Sequence, residues 1–120
     1  MTRILVVDDD FAVRQVVSRM LTALGYEVVV TSNGREAIDA LSGNGTIDLT
    51  LTDLRMPDMH GGELIRWIVR RKPAMRVACM SSAEGECPPG VTFLAKPFTL
   101  AEVRDCVSRV LAETEAPIHR

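Results

Sequence analysis

The sequence predicts one α/β domain: a parallel sheet with helices packed on both faces. Three observations carry that reading. Short apolar runs rich in β-branched residues alternate with segments of helical period along the whole chain, at strand–helix–strand spacing. Several of the runs are nearly continuous, as strands covered on both faces are. With 120 residues there is room for one core and not two, so residues 1–120 are read as a single domain.

The elements follow in order. "RILVV" (3–7) is the first strand. From Phe11 the period becomes helical, with Val13, Val16, Val17, Met20, Leu21 and Leu24 recurring and Gly25 as the stop. "EVVVT" (27–31) is the second strand, and "SNGREAIDALS" a short helix with Ala37, Ile38 and Leu41 on one face. "DLTLT" (48–52) is the third strand, and "GGELIRWIVRRKP" a helix ended by Pro73. "RVACM" (76–80) and "VTFLA" (91–95) are the fourth and fifth strands. The last helix starts at Thr99, where Thr-Leu-Ala-Glu forms a capping box with Glu102, and it frays before Pro117.

Composition narrows the function classes. The hydrophobic fraction of 47% and charged fraction of 25% are those of a soluble globular chain, and a net charge of −2 offers nothing to nucleic acid or an anionic membrane. No apolar run reaches the length of a membrane span, and "MTRILVV" is cut off at once by Asp8, Asp9 and Asp10, unlike a signal peptide. Cys79, Cys87 and Cys106 show no metal-ligand spacing and cannot all pair. They read as small apolar fillers in a reducing cytoplasm, and Met56, Met59, Met75 and Met80 as fillers of core and loops.

In a parallel sheet of this kind, ligands gather outside the carboxyl ends of the strands. The first strand runs into Asp8-Asp9-Asp10, the third into Asp53, the fourth into Ser81-Ser82 and the fifth into Lys96-Pro97. Only the second ends blandly, in Thr31-Ser32. Converging carboxylates repel and raise at least one pKa unless a cation sits among them. Hard oxygen ligands suit Mg²⁺ or Mn²⁺. A lysine and a hydroxyl opposite them suit a phosphoryl group, with Asp53 as the attacking carboxylate, Ser81 donating a hydrogen bond and Lys96 neutralising oxygens. Asp10 is assigned instead to capping the first helix. Asp58 and His60 read as ordinary exposed turn residues, and Thr52 and Ser82 as neighbours without a chemical role.

With those residues in hand, the chain resembles the receiver domains of two-component response regulators over nearly its full length. The segments that carry the likeness are "ILVVDDD", "GYEVVVTSNGREAIDAL", "DLTLTDLRMPDMHGGEL", "VACMSS" and "FLAKPFTLAEV". The resemblance implies a flavodoxin-like, five-stranded parallel sheet in the order 2-1-3-4-5. It implies Asp53 as phosphoacceptor, Asp8 and Asp9 as the acidic pair, and Mg²⁺ held by Asp9, Asp53 and the Arg55 carbonyl. Ser81 matches the family's switch hydroxyl, Lys96 its phosphoryl-contacting lysine and Phe93 its switch aromatic. The implied partners are a histidine kinase or a histidine phosphotransfer domain, with a homodimer left open. The texture is similar to receivers of hybrid sensor kinases, so a stand-alone receiver and one cut from a longer protein are both compatible with it. No output domain is expected after the last helix.

Two alternatives compete. Asp8-Asp9-Asp10 also satisfies the Asp-x-Asp of haloacid-dehalogenase-like phosphatases, with Asp8 as nucleophile, but there is no room for a cap domain. A docking module that is never phosphorylated conflicts with the presence of every required side chain. The receiver reading makes the chain no turnover enzyme, since it catalyses only its own phosphorylation and dephosphorylation.

Two local features complete the expectations. Lys96-Pro97 is expected to be cis, because the chain must turn sharply while aiming the lysine at Asp53. Between Ser81 and Val91 there are too few residues for the family's helix 4, and two glycines and Pro88-Pro89 oppose helix, so that helix is expected shortened or missing. Residues 82–90 should form a flat loop with at most one helical turn, with Cys87, Pro88 and Pro89 over the fourth and fifth strands. Signalling would then pass through ordering of that loop.

Overall fold

The computed structural model describes residues 1–43, 45–82 and 87–113. Its elements alternate as expected: β1 (Arg3–Val7), α1 (Phe11–Ala23), β2 (Glu27–Thr31), α2 (Gly34–Ser42), β3 (Leu49–Asp53), α3 (Gly61–Arg71), β4 (Arg76–Ser81), β5 (Thr92–Ala95) and α4 (Leu100–Ala112). All strand pairings are parallel, in the order β2-β1-β3-β4-β5. This is the doubly wound, flavodoxin-like arrangement. Asp53 and Ser81 are themselves the last residues of β3 and β4, so both are placed by the ladder rather than by a loop.

The pleat divides the core into two layers. Ile4 and Val6 of β1, Leu49 and Leu51 of β3, and Ala78 and Met80 of β4 face α1 and α4, where Val17, Leu21, Val103, Val107 and Val110 meet them. The alternate residues Leu5, Val7, Val77 and Cys79 face α2 and α3, against Ala37, Leu41, Leu64, Ile65 and Ile68. The three central strands are therefore covered on both sides. Val16 and Val30 depart from the expected buried pattern, at 48% and 47% exposed. Val30 lies on the edge strand β2, and Val16 on the flank of the α1 stripe.

Helix ends follow local chemistry. Asp10 caps α1, its Oδ1 accepting from the amides of Ala12 and Val13 at 2.9 and 3.3 Å. Gly25 ends that helix at φ +95°, a conformation that glycine alone adopts without strain. Thr99 and Glu102 form the expected capping box of α4. Lys96-Pro97 is cis, as expected.

None of the described residues between β4 and β5 is helical. Cys87 packs against the α2/α3 layer, and its thiol donates to the Val91 carbonyl at 3.4 Å. The Val91 amide donates to the Pro88 carbonyl at 3.2 Å, closing a turn through Gly90 at φ +84°. The expectation for the form of the whole 82–90 loop falls partly on residues 83–86, which lie outside the described residues. The cysteines behave as fillers: Cys79 and Cys106 are buried, and burial pushes all three thiols above the ordinary range.

Candidate functional site

Three strands deliver charge to one end of the sheet. Asp8 follows β1, Asp53 ends β3, and Lys96 follows β5. Lys96 Nζ lies 2.7 Å from Asp8 Oδ2 and 3.4 Å from Asp53 Oδ1. Asp8 is fully buried and Asp53 is 7% exposed, while Asp9 is exposed beside them. One carboxylate oxygen from each of Asp8, Asp9 and Asp53 lies within 4.8 Å of the other two. The four residues brought together are thus the acids and the lysine that the strand ends pointed to.

The two buried acids are oriented by backbone amides. Asp8 Oδ1 accepts from the Asp10 amide at 2.9 Å, and the Asp8 carbonyl accepts from Arg14 Nη1 at 2.8 Å. Asp53 Oδ1 accepts from the Leu54 amide at 2.9 Å. Burial, and then the charge of Asp8, push the Asp53 carboxyl above its ordinary pKa despite the nearby lysine. For Lys96, burial alone would lower the amine. The hydrogen bond and charge of Asp8, followed by those of Asp53, outweigh it and hold the pKa above the usual lysine value. One ammonium facing two buried carboxylates and a third at the rim leaves the cluster short of positive charge. Oxygen donors in that condition fit a hard dication such as Mg²⁺ or Mn²⁺.

Ser81 reaches the same sheet end. It is 3% exposed, and its carbonyl accepts from the Lys96 amide at 2.9 Å, which ties the end of β4 to the lysine. Phe93 lies upstream on β5, half-buried, paired with Cys79 in the ladder. Arg55 opens the loop that follows Asp53.

That loop holds what the sequence did not show. Its base is closed by the Gly61 amide donating to the Leu54 carbonyl at 2.8 Å. A Cβ on Gly61 would fall 2.4 Å from the Asp53 carbonyl oxygen, so only glycine permits α3 to start this close to β3. His60 is the cap of α3, Nδ1 accepting from the Gly62 amide at 3.0 Å with Glu63 reaching back. Asp58 accepts from the amides of Gly34 and Arg35, at 3.0 and 2.9 Å, in the first turn of α2. Read as ordinary turn residues, both prove to be helix caps. The Asp-Met-His-Gly-Gly-Glu order could have shown the α3 cap, whereas a cap supplied from another loop leaves no local signal.

The fold and these charges define a class, a flavodoxin-like domain with an aspartate, acidic-pair and lysine site at the carboxyl end of its sheet. Comparison with known proteins agrees. The response regulator receiver domain model matches residues 4–108. The chain is 29% identical over 116 residues to sporulation initiation phosphotransferase F of Bacillus subtilis, covering 91% of this chain and 93% of that protein. It is 34% identical over 115 residues to the DNA-binding transcriptional regulator NtrC of Klebsiella pneumoniae, covering 89% of this chain but spanning only 24% of the regulator's length. Among solved structures, the receiver domain of the hybrid histidine kinase CckA superposes with a TM-score of 0.78 at 39% identity, covering 91% of this chain and 98% of that one. The response regulator TrrA of Thermotoga maritima, solved in complex with Mg²⁺-BeF, gives a TM-score of 0.81 at 28% identity, covering 92% and 99%.

The chain belongs to the response regulator receiver domain family. It is a receiver of two-component signalling, a switch based on a phosphorylatable aspartate. The phosphatase alternative gains nothing from the geometry: both Asp8 oxygens are engaged, one by the Asp10 amide and one by Lys96. No described helix is long and apolar enough to cross a membrane.

Proposed function

We propose that residues 1–120 act as one receiver domain in the cytoplasm and that Asp53 is its phosphoacceptor. The observation that carries this is the placement of Asp53 at the end of β3, nearly buried, within 4.8 Å of two other carboxylates and 3.4 Å from Lys96. The contacts of Asp53 with the Leu54 amide and with Lys96 both fall on Oδ1. In the transfer, an Asp53 oxygen forms a bond to phosphorus while the bond from phosphorus to the donor's imidazole nitrogen breaks. The imidazole leaves with its electron pair and takes up a proton from solvent.

Lys96 holds positive charge against the phosphoryl oxygens, and Ser81 donates its hydroxyl to one of them. Asp8, Asp9 and Asp53, with the Arg55 carbonyl, would hold Mg²⁺ or Mn²⁺, which supplies further charge against those oxygens. Phe93 and Ser81 carry the change to partners. The domain catalyses only its own phosphorylation and dephosphorylation.

The donor is a histidine kinase or histidine phosphotransfer domain, with a homodimer as a further mode of assembly. An apolar groove of about 360 Å³ between α1 and the β5–α4 connection, lined by Ala12, Val13, Val16, Pro97 and Phe98, opens beside Lys96 and gives such a partner a surface to grip. The test is phosphopeptide mapping after incubation with acetyl phosphate and Mg²⁺. Label on Asp53 is expected, lost in Asp53→Asn and in excess chelator, with Mg²⁺ binding weakened in Asp9→Asn. Label that survives Asp53→Asn but disappears in Asp8→Asn would return the protein to the phosphatase class.

A further inference from the structure

The loop from Leu54 to Gly61 has two anchors. At its base, the Gly61 amide donates to the Leu54 carbonyl, and the missing Cβ of Gly61 lets the two ends close. At its tip, Asp58 spreads both carboxylate oxygens over α2: Oδ1 accepts from the Gly34 amide at 3.0 Å and Oδ2 from the Arg35 amide at 2.9 Å. These amides are two of the donors that every helix leaves orphaned at its start. The next one, on Glu36, goes to Asn33 Oδ1 at 2.8 Å, and the Glu36 side chain returns to the Ser32 amide at 2.8 Å. The first turn of α2 is therefore capped jointly, by its own Asn33 and by a residue from the loop.

A second, independent contact locks the same place. The Met59 side chain fills the space that a Cβ on Gly34 would occupy, with Cγ 2.3 Å and Sδ 2.4 Å from that position. The start of α2 is thus shaped to receive Asp58 and Met59 together. The backbone amides of Arg35 and Gly34 hold the Asp58 carboxyl below its ordinary pKa, so the clamp is ionised at neutral pH and complements the positive end of the helix.

Between the two anchors run only Arg55, Met56 and Pro57. Met56 packs against the α2/α3 layer, and the path of that short segment, and hence the direction of the Arg55 carbonyl, depends on where the tip is held beside it. We propose that Asp58 is a positioning residue for the phosphoacceptor site: by clamping the loop tip to α2 it holds the Arg55 carbonyl where the dication is bound. The inference rests on the assignment of Asp53 and the cation given above. It adds α2 to the elements that control the site, through a carboxylate that touches neither cation nor phosphoryl group. Linkage makes the effect reciprocal, so cation binding should tighten the first turn of α2.

The test uses the whole chain and two readouts other than phosphorylation. Mg²⁺ affinity is measured by calorimetry for wild type, Asp58→Ala and Asp58→Asn, and amide exchange of Gly34 and Arg35 is followed with and without Mg²⁺. Asp58→Ala should bind Mg²⁺ roughly tenfold more weakly, the order typical for loss of a group that orients a metal ligand. Asp58→Asn, which keeps one acceptor oxygen, should recover part of the loss. In wild type, Mg²⁺ should slow exchange at Gly34 and Arg35, and in Asp58→Ala it should not. Gly34→Ala, which displaces Met59 while leaving the Asp58 carboxylate and the Gly34 amide in place, should weaken Mg²⁺ in the same direction. Wild-type affinity in both Asp58 variants, or exchange at Gly34 and Arg35 indifferent to Mg²⁺, would overturn the proposal while leaving Asp53 labelling intact. Failure of wild type itself to bind Mg²⁺ would instead remove the site assignment on which it rests.

Discussion

Asp53→Asn should make the cation-free domain more stable at neutral pH, although it deletes half of an ion pair. At an effective dielectric constant of 20, the 3.4 Å contact with Lys96 is worth about 5 kcal/mol of gross attraction. The repulsion from Asp8, at no more than 4.8 Å, returns about 3.5 kcal/mol of that. The Leu54 hydrogen bond adds about 1.5 kcal/mol in favour of the charged form. Against the remaining gain of about 3 kcal/mol stands the desolvation of a nearly buried carboxylate, several kcal/mol per ion.

Burial is the largest influence on this carboxyl, and its pKa is raised, so the balance falls against ionisation. Each kcal/mol of net penalty corresponds to roughly 4 °C in Tm for a domain of this size. The pH dependence has a definite sign. With the folded pKa above the unfolded one, the folded state binds the proton more tightly. The stability this confers is complete below the ordinary carboxyl range and is lost as pH rises through the elevated value. The Tm gap between Asp53→Asn and wild type should therefore be widest near pH 7 in EDTA and close as pH falls below about 4. Saturating Mg²⁺ should raise wild type and not the variant. Thermal unfolding across pH measures all of this. A variant less stable than wild type at pH 7 in EDTA would show that Lys96 outweighs burial and refute the reasoning.

Two other substitutions probe the same end of the sheet. Lys96→Met leaves Asp8 and Asp53 facing each other without the ammonium that bridges them; it should lower stability in EDTA and slow acetyl phosphate labelling roughly a hundredfold while Mg²⁺ binding is retained, and labelling at the wild-type rate would exclude Lys96 from the transfer. Gly61→Ala drives a Cβ to 2.4 Å from the Asp53 carbonyl oxygen and should cost about 1–3 kcal/mol, seen as a lower urea midpoint at unchanged m-value.

Much of this was legible in sequence because it depends on local chemistry. The strands were marked by apolar runs, and their order of appearance by the alternation with helices. The α4 capping box, the Asp10 cap and the Gly25 stop each lie within a few residues of what they cap, and each was read correctly. The meeting of Asp8, Asp53, Ser81 and Lys96 at one end was legible too, since a parallel sheet sends every strand's exit to the same end. Asp58 was missed for the opposite reason. Its partners, Gly34 and Arg35, lie on a different element, and nothing in "MPDMHGG" points to them. The exposure of Val16 was equally hidden, because helical spacing marks the stripe but not which flank a neighbour covers.

Lys96 shows how one residue can serve both states of such a site. The lysine follows β5, while Asp8 follows β1, three strand spacings away, or roughly 14 Å in the plane of the sheet. Its ammonium nevertheless lies 2.7 Å from Asp8, so the chain leaving β5 and the long lysine stem together cross the ends of β4 and β3. The Ser81 carbonyl fixes the start of that crossing by accepting the Lys96 amide. In the cation-free domain the ammonium is the internal counter-ion that makes two buried carboxylates tolerable together. Under the proposed function, a dication that took over that neutralisation would free the same charge to face a phosphoryl group. A shorter or fixed cation could do one of these tasks but not exchange between them. The tether through Ser81 also ties the end of β4 to the start of the lysine, so the backbones of Ser81 and Lys96 move as one unit.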